Sequence, residues 1–240
     1  MFILDCDFCC EKCASKLYAK EIPIFESLSK EELDRIIDIR KHMSLEKGES
    51  LFLEGDKVSK LFIISEGMVK LSKNTASGKE QILNILSVGD FLGESNILGE
   101  TSESNVSAIA IKNTELCTIS RNDLKEILFS NPSICLKLLS ELNKRLIEVE
   151  NLSKNLSNNS PEARICCMLL EFSEKYGKKT NDKLEIDLPL NREGMANYCG
   201  IARETLSRKL ALLEDENIIK LIGTKKIIIN DLELLETKIF

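Results

Sequence analysis

Leu188–Leu213 reads LPLNREGMANYCGIARETLSRKLALL, and its pattern decides how the chain is built. Met195, Ala196 and Tyr198 give a short helix one apolar face. Gly200 follows where a sharp turn needs backbone freedom. Ile201 packs the corner, and a second helix starts within Ala202–Arg203. On that helix Leu206, Leu210 and Leu213 recur at helical spacing, while Arg203, Glu204, Ser207 and Arg208 fall on the opposite side. A charged helix face alone is ordinarily a solvated surface. The glycine turn and the helix before it make a helix-turn-helix the better reading, with an apolar back and a front suited to a DNA major groove. Arginine can grip guanine O6 and N7 as a fork, glutamate can accept from the cytosine amino group, and serine can contact several bases.

The 240 residues suffice for one large domain or two small ones with real cores. Hydrophobic residues make up 43% and charged residues 30%, an ordinary globular mixture. No apolar run approaches the length of a membrane span. The opening MFILDCDFCC is acidic and cysteine-rich and lacks the basic region of a signal peptide, so a cytoplasmic location is expected. A net charge of -6 argues against broad affinity for nucleic acid, which depends chiefly on phosphate contacts. Arg203, Arg208, Lys209, Lys220, Lys225 and Lys226 nevertheless gather positive charge in the last quarter.

Nine cysteines in a reducing compartment disfavour a disulfide framework and point to metal or redox chemistry where they cluster. Cys6, Cys9, Cys10 and Cys13 form two Cys-x-x-Cys pairs near the start. Iron–sulfur ligation, zinc ligation and a switching thiol pair all suit that spacing.

Within Glu21–Met43, Ser29 and Glu32 form a capping box that opens a short helix, with Leu33, Ile36 and Ile37 as its buried stripe. His42 ends the segment and reads as a surface residue; as the only histidine it rules out any site needing two. From Ser44 to Ser120 the runs LFLEGD, KLFIISEGMVKL, EQILNIL, SAIAI and ELCTIS read as short strands punctuated by glycines, which suggests a compact β-barrel or roll. Asn122–Leu156 turns helical, with a break at Asn131-Pro132. Ile134, Leu138, Leu142, Leu146, Val149, Leu152 and Leu156 then form a long stripe that fits a two-helix seam. The polar run Ser153–Ser160 reads as a hinge. Pro161 opens a further helix, with Ile165, Met168, Leu169 and Phe172 as its stripe. Cys135, Cys166, Cys167 and Cys199 read as packing residues. NIIKLIGTKKIIIN, residues 217–230, reads as a hairpin whose Lys225 and Lys226 can reach phosphates.

ANYCGIARETLSRKLALLEDENII, residues 196–219, resembles the helix-turn-helix of Crp/Fnr-type transcription regulators. Glu204, Ser207 and Arg208 match the Glu-x-x-Ser-Arg core of the Fnr branch, and Arg203, Glu204 and Arg208 match the Crp branch. The order KGESLFLEGD, LFIISEGMVKL, LSVGDFLGE is similar to the cyclic-nucleotide-binding β-roll of the same family. The resemblance implies an α+β chain: a cysteine-rich tail over 1–20, a β-roll sensor over 21–130, a dimerisation helix over 131–158 and a winged helix-turn-helix over 159–240. It implies a homodimer on a palindromic promoter site with half-sites containing TTG. RNA polymerase is implied as a further partner, with no membrane association and no enzymatic activity.

In the cyclic-AMP-binding branch a Gly-Glu pair precedes an Arg-Ser pair that holds the phosphate. Gly93 and Glu94 are present here, but Ser104 and Asn105 stand where Arg-Ser is expected. Without that cation the phosphate loses its charge-assisted bonds, so cyclic AMP is not expected. Gly93 and Glu94 are then read as remnants of a turn. In the Fnr branch a cysteine before the last roll strand is the fourth ligand of a [4Fe–4S] cluster, and Cys117 stands at that place. The implied ligands are Cys6, Cys9, Cys13 and Cys117, with Cys10 as substitute; the family usually shows a tighter pair followed by a longer gap. Oxygen, nitric oxide or redox state is then the signal. Haem, a small effector in the roll, or a zinc or thiol switch are the alternatives for the same scaffold. A nucleotide-binding module without DNA, or a thiol oxidoreductase using Cys6 and Cys9, fits less well: the chain has one histidine, no nucleophile–base pattern and no phosphate loop.

Overall fold

The computed structural model describes residues 39–99, 102–157, 160–180 and 183–239. Cys6, Cys9, Cys10 and Cys13, and the segment with Ser29, Glu32, Leu33, Ile36 and Ile37, lie outside the described residues. The chain divides into two compact units. One runs up to Lys73 and from Leu83 to Ile147; the other joins Asn74–Ile82 to Glu148–Phe240. Among the described residues no helix is long and apolar enough to cross a membrane.

Eight strands form the roll: β1 (Lys41–Leu45), β2 (Ser50–Phe52), β3 (Lys60–Glu66), β4 (Val69–Asn74), β5 (Glu80–Leu86), β6 (Phe91–Leu92), β7 (Ser107–Ala110) and β8 (Thr114–Ser120). They make two sheets, ordered β1-β8-β3-β6 and β2-β7-β4-β5. The near-continuous apolar run of β3 follows from its position between two cores. Phe62 and Ile64 point into the roll interior with Leu45, Phe52, Val69, Leu86 and Leu116. Leu61 and Ile63 point the other way, into a second core with Phe91, Cys117 and Ile119. Successive strand residues alternate faces, so a strand covered on both sides is apolar throughout.

Helices back the second core. The short α1 (Glu94–Leu98) follows Gly93; α2 (Arg121–Ser130) is capped by Ser120; α3 (Pro132–Ser157) runs for 26 residues. Ile97, Leu124, Ile127, Ile134 and Leu138 complete that core. Each such side chain contributes about 1.5–3 kcal/mol on burial. Gly93 has φ +91°, and a Cβ there would lie 2.4 Å from the Lys60 carbonyl oxygen, so only glycine fits the turn.

Two expectations change. His42 is not a surface residue. It lies in β1, which pairs with β8, and its side chain is only 12% exposed. Tertiary pairing has overridden the local pattern. The stripe on α3 also splits. Ile134 and Leu138 are buried against the roll with Leu142 packed beside them, whereas Leu146 and Val149 are exposed together with Leu136 and Leu139. The expected single seam is thus two faces, one inward and one outward.

In the second unit α4 (Pro161–Tyr176) is capped by Ser160, whose Oγ accepts from the Ala163 amide at 3.3 Å. After it come β9 (Gly177–Thr180), β10 (Lys183–Asp187), α5 (Arg192–Cys199), α6 (Arg203–Asp215), β11 (Ile219–Ile222), β12 (Lys226–Ile229) and α7 (Leu232–Thr237). Their sheet is ordered β11-β12-β10-β9. The stripe Ile165, Met168, Leu169 and Phe172 is buried as expected, and so are Met195, Ala196, Tyr198, Leu206, Leu210 and Leu213.

Candidate functional site

The helix-turn-helix is held at both ends of its first helix. Asn191 caps α5, accepting from the Gly194 amide at 2.8 Å. Gly200 ends it in the left-handed region at φ +63°, as a C-terminal glycine cap does. The Arg164 Nη1 donates to the Cys199 and Gly200 carbonyls at 3.5 and 3.4 Å, placing a cation where the helix dipole favours one. The second helix, α6, buries Leu206, Leu210 and Leu213 and leaves Arg203, Glu204, Ser207 and Arg208 exposed along one side. Those four residues therefore share one accessible face of a rigid helix.

The basic residues around them are not equivalent. Lys209 turns inward and meets Glu162 of α4 at 2.6 Å; Lys238 meets Glu162 at 3.4 Å and Glu216 at 2.5 Å. Lys209 first, and then Lys238, hold the Glu162 carboxyl below its ordinary range. In the β11–β12 wing, Gly223 turns the tip at φ +60° and Lys225 is exposed. Lys226 is engaged by Glu185 and lies 3.5 Å from Asp187. Glu162 and Arg164 were not singled out from the sequence; their partners stand 47 and about 35 positions away. The other thiols of this unit pack: Cys166 and Cys199 are buried, and Cys199 Sγ contacts Met168 Sδ at 3.5 Å. Burial pushes the Cys166 thiol up to about 12. Cys167 is half-buried, and Cys135 Sγ lies 3.5 Å from the Leu128 carbonyl.

In the roll, Glu94 is 6% exposed, and its Oε1 accepts from Arg145 of α3 at 2.8 Å. Arg145 also donates to the Phe91 carbonyl and stacks 4.3 Å from the Phe91 ring centroid. Arg121 donates to the Asn96 and Ile97 carbonyls at 2.8 and 3.0 Å, closing the other end of α1. Ser104 is buried and spends its hydroxyl on the Val106 carbonyl at 2.8 Å.

Cys117 is 4% exposed on the helix-backed face of β8. Directly opposite it in the ladder is His42, whose Nε2 lies 2.6 Å from Glu115 Oε2. Among the described residues His42 Nδ1, Glu115 Oε2, Ser65 Oγ and Glu94 Oε2 are buried without a hydrogen-bond partner. Among the described residues no three His, Cys, Asp or Glu side chains converge as a metal site.

A β-roll of this topology, a long helix and a winged helix-turn-helix with an exposed Arg/Glu/Ser/Arg front define a DNA-binding transcription regulator. Two family models match the chain in that order, "Cyclic nucleotide-binding domain" over residues 42–131 and "Crp-like helix-turn-helix domain" over residues 163–238. The chain belongs to the Crp/Fnr family of transcription regulators, which are not enzymes. It is 29% identical to the probable transcriptional regulator flp of Lacticaseibacillus casei, over 87% of this chain and 92% of that one. To the cyclic AMP receptor protein of Thermus thermophilus it is 28% identical, over 90% and 96%. Its fold is similar to that of FixK2 from Bradyrhizobium japonicum, with a TM-score of 0.73 at 22% identity over 83% and 96% of the two chains.

Proposed function

We propose that the chain works as a homodimer that reads a palindromic promoter site, with half-sites containing TTG, through Arg203, Glu204, Ser207 and Arg208, and that an oxidant-sensitive iron–sulfur centre switches it. RNA polymerase is its proposed partner at the promoter, and the cytoplasm its proposed location. The domains divide at 20/21, 130/131 and 158/159.

The surroundings of Cys117 carry the reading. A thiol that merely packs needs only apolar neighbours. Directly across the ladder from Cys117 stands His42, whose buried Nδ1 has no hydrogen-bond partner among the described residues. Native structures keep few such atoms, and each calls for an explanation such as an ion or ligand. These residues fit a metal centre whose sulfurs accept hydrogen bonds. Cys117 would hold one iron of a [4Fe–4S] cluster and Cys6, Cys9 and Cys13 the others, with Cys10 as substitute. Bound there, such a cluster supplies sensitivity to oxygen, nitric oxide or redox state.

Cys117 packs in one core with Ile134 and Leu138, so a displacement of β8 is felt at the root of α3. The outward stripe of α3 pairs two copies, and the pairing sets both α6 helices on successive turns of DNA. Cyclic AMP is not the effector in this reading. Ser104 and Asn105 offer no cation for its phosphate, and the Ser104 hydroxyl is spent on the Val106 carbonyl.

The test is iron and acid-labile sulfide content in protein purified without oxygen. Wild type should carry both in matched amounts, and Cys117→Ala should lose them while keeping its far-ultraviolet circular dichroism. A full complement in Cys117→Ala refutes the ligation.

A further inference from the structure

We infer that Glu148, Lys175, Glu171 and Tyr198 are positioning residues that set the angle between α3 and the helix-turn-helix, and so the half-site spacing that a dimer accepts; the inference rests on the dimeric reading of DNA above. The chain from Glu148 to Phe240 belongs to one compact unit, so the last turns of α3 go with α4, α5 and α6. Within that unit a run of polar contacts joins α3, α4 and α5. Lys175 Nζ of α4 lies 3.1 Å from Glu148 Oε1 of α3 and 3.1 Å from Glu171 Oε1, one turn earlier on its own helix. The other Glu171 oxygen, Oε2, accepts from the Tyr198 hydroxyl of α5 at 2.7 Å. Tyr198 is 5% exposed, and its ring packs on Phe172 with centroids 5.4 Å apart. Gly200, the turn into α6, follows shortly after it.

Exposed ion pairs ordinarily contribute little. This run differs in two ways. Burial works against the Lys175 charge, and Glu171 and then Glu148 more than offset it, holding its pKa above the ordinary lysine value. The run also ends on a buried phenol. Packing on Phe172 asks only for a ring, which phenylalanine would supply; a buried hydroxyl needs a partner, and Glu171 provides a charged one. The place of the contact matters as well. α3 ends at Ser157 and α4 starts at Pro161. At 1.5 Å per residue, Glu148 stands about 14 Å back along α3 and Lys175 about 21 Å along α4. A tie so far from the joint resists a change of angle better than one beside it. The recognition helix shares the constraint, because Lys209 of α6 meets Glu162 of α4 at 2.6 Å. In a dimer built on α3, a change of that angle moves one α6 helix against the other, and a palindrome of fixed spacing reports the movement.

The test is fluorescence anisotropy of the full chain on three labelled duplexes: the preferred palindrome, the same palindrome with one base pair added between its half-sites, and a single half-site. The added base pair turns one half-site against the other by about 35°. Wild type should prefer the first palindrome to the lengthened one. In Tyr198→Phe and in Lys175→Met that preference should shrink about 10-fold, the scale of one hydrogen bond to a charged group, while half-site affinity stays that of wild type. Lys175→Arg should keep the preference, since a guanidinium can reach both carboxylates. An undiminished preference in Tyr198→Phe and Lys175→Met overturns the inference and leaves the dimeric reading standing. So does an equal loss on all three duplexes, which marks a loosened fold. A wild type that binds the palindrome no better than the half-site overturns both.

Discussion

Arg208 stands exposed on α6 one turn after Glu204, with Leu206 and Leu210 buried on the other side to hold the helix in place. A guanidinium so placed can grip guanine with both prongs. Arg208→Ala should cost about 1–3 kcal/mol per half-site and relax the preference at one position, as competition gel shifts with single-base operator variants would report. Binding that is unchanged on the preferred palindrome would remove Arg208 from the readout. This face was legible in the sequence because helical periodicity separates Leu206, Leu210 and Leu213 from Arg203, Glu204, Ser207 and Arg208 within a dozen residues. Lys209 was not. It looked like one more basic residue, and only the fold brings Glu162 to it. His42 was misplaced for the same reason, since Cys117 and Glu115 reach it by strand pairing across more than seventy positions.

Among the elements, α4 and α6 are joined by Glu162, which Lys209 holds most and Lys238 less. Its carboxyl titrates below the ordinary 4.5 in the folded protein, so on acidification the unfolded chain takes up the proton first. The stability it adds is complete above about 4.5 and vanishes as pH falls through the lowered value. Glu162→Gln should therefore be less stable than wild type at neutral pH, by at most about 1 kcal/mol for so accessible a pair, with the gap closing in acid. Urea unfolding followed from pH 7 to pH 3 measures it; a gap that stays constant would show that the loss is one of packing. The helices of this unit were legible through their caps, Asn191 and Gly200 on α5 and Pro161 on α4. The strands β1 and β6, the β9–β10 hairpin and the five-residue α1 were not, because they are too short for periodicity and exist through their neighbours.

The assembly is argued from α3. Leu139 and Leu146 are 61% and 56% exposed, and Leu136 and Val149 accompany them on a helix whose other side already serves the roll. So much exposed apolar surface in one stripe marks an interaction site. The double variant Leu139→Asp with Leu146→Asp should sediment as a monomer and lose most of its affinity for the palindrome, while its circular dichroism stays that of wild type. A dimer that persists would move the interface elsewhere. The ion pairs of the DNA-facing unit carry a further consequence for an acidic chain. Lys209 and Lys226 already have carboxylate partners, so neither brings a loose cloud of anions to the encounter or strips condensed cations from the duplex. In the proposed readout the entropy of freed ions comes from few side chains, Arg203, Arg208, Lys220 and Lys225 among them. Attachment to arbitrary sequence stays weak, and recognition of the proper site withstands rising salt better than the tally of lysines suggests.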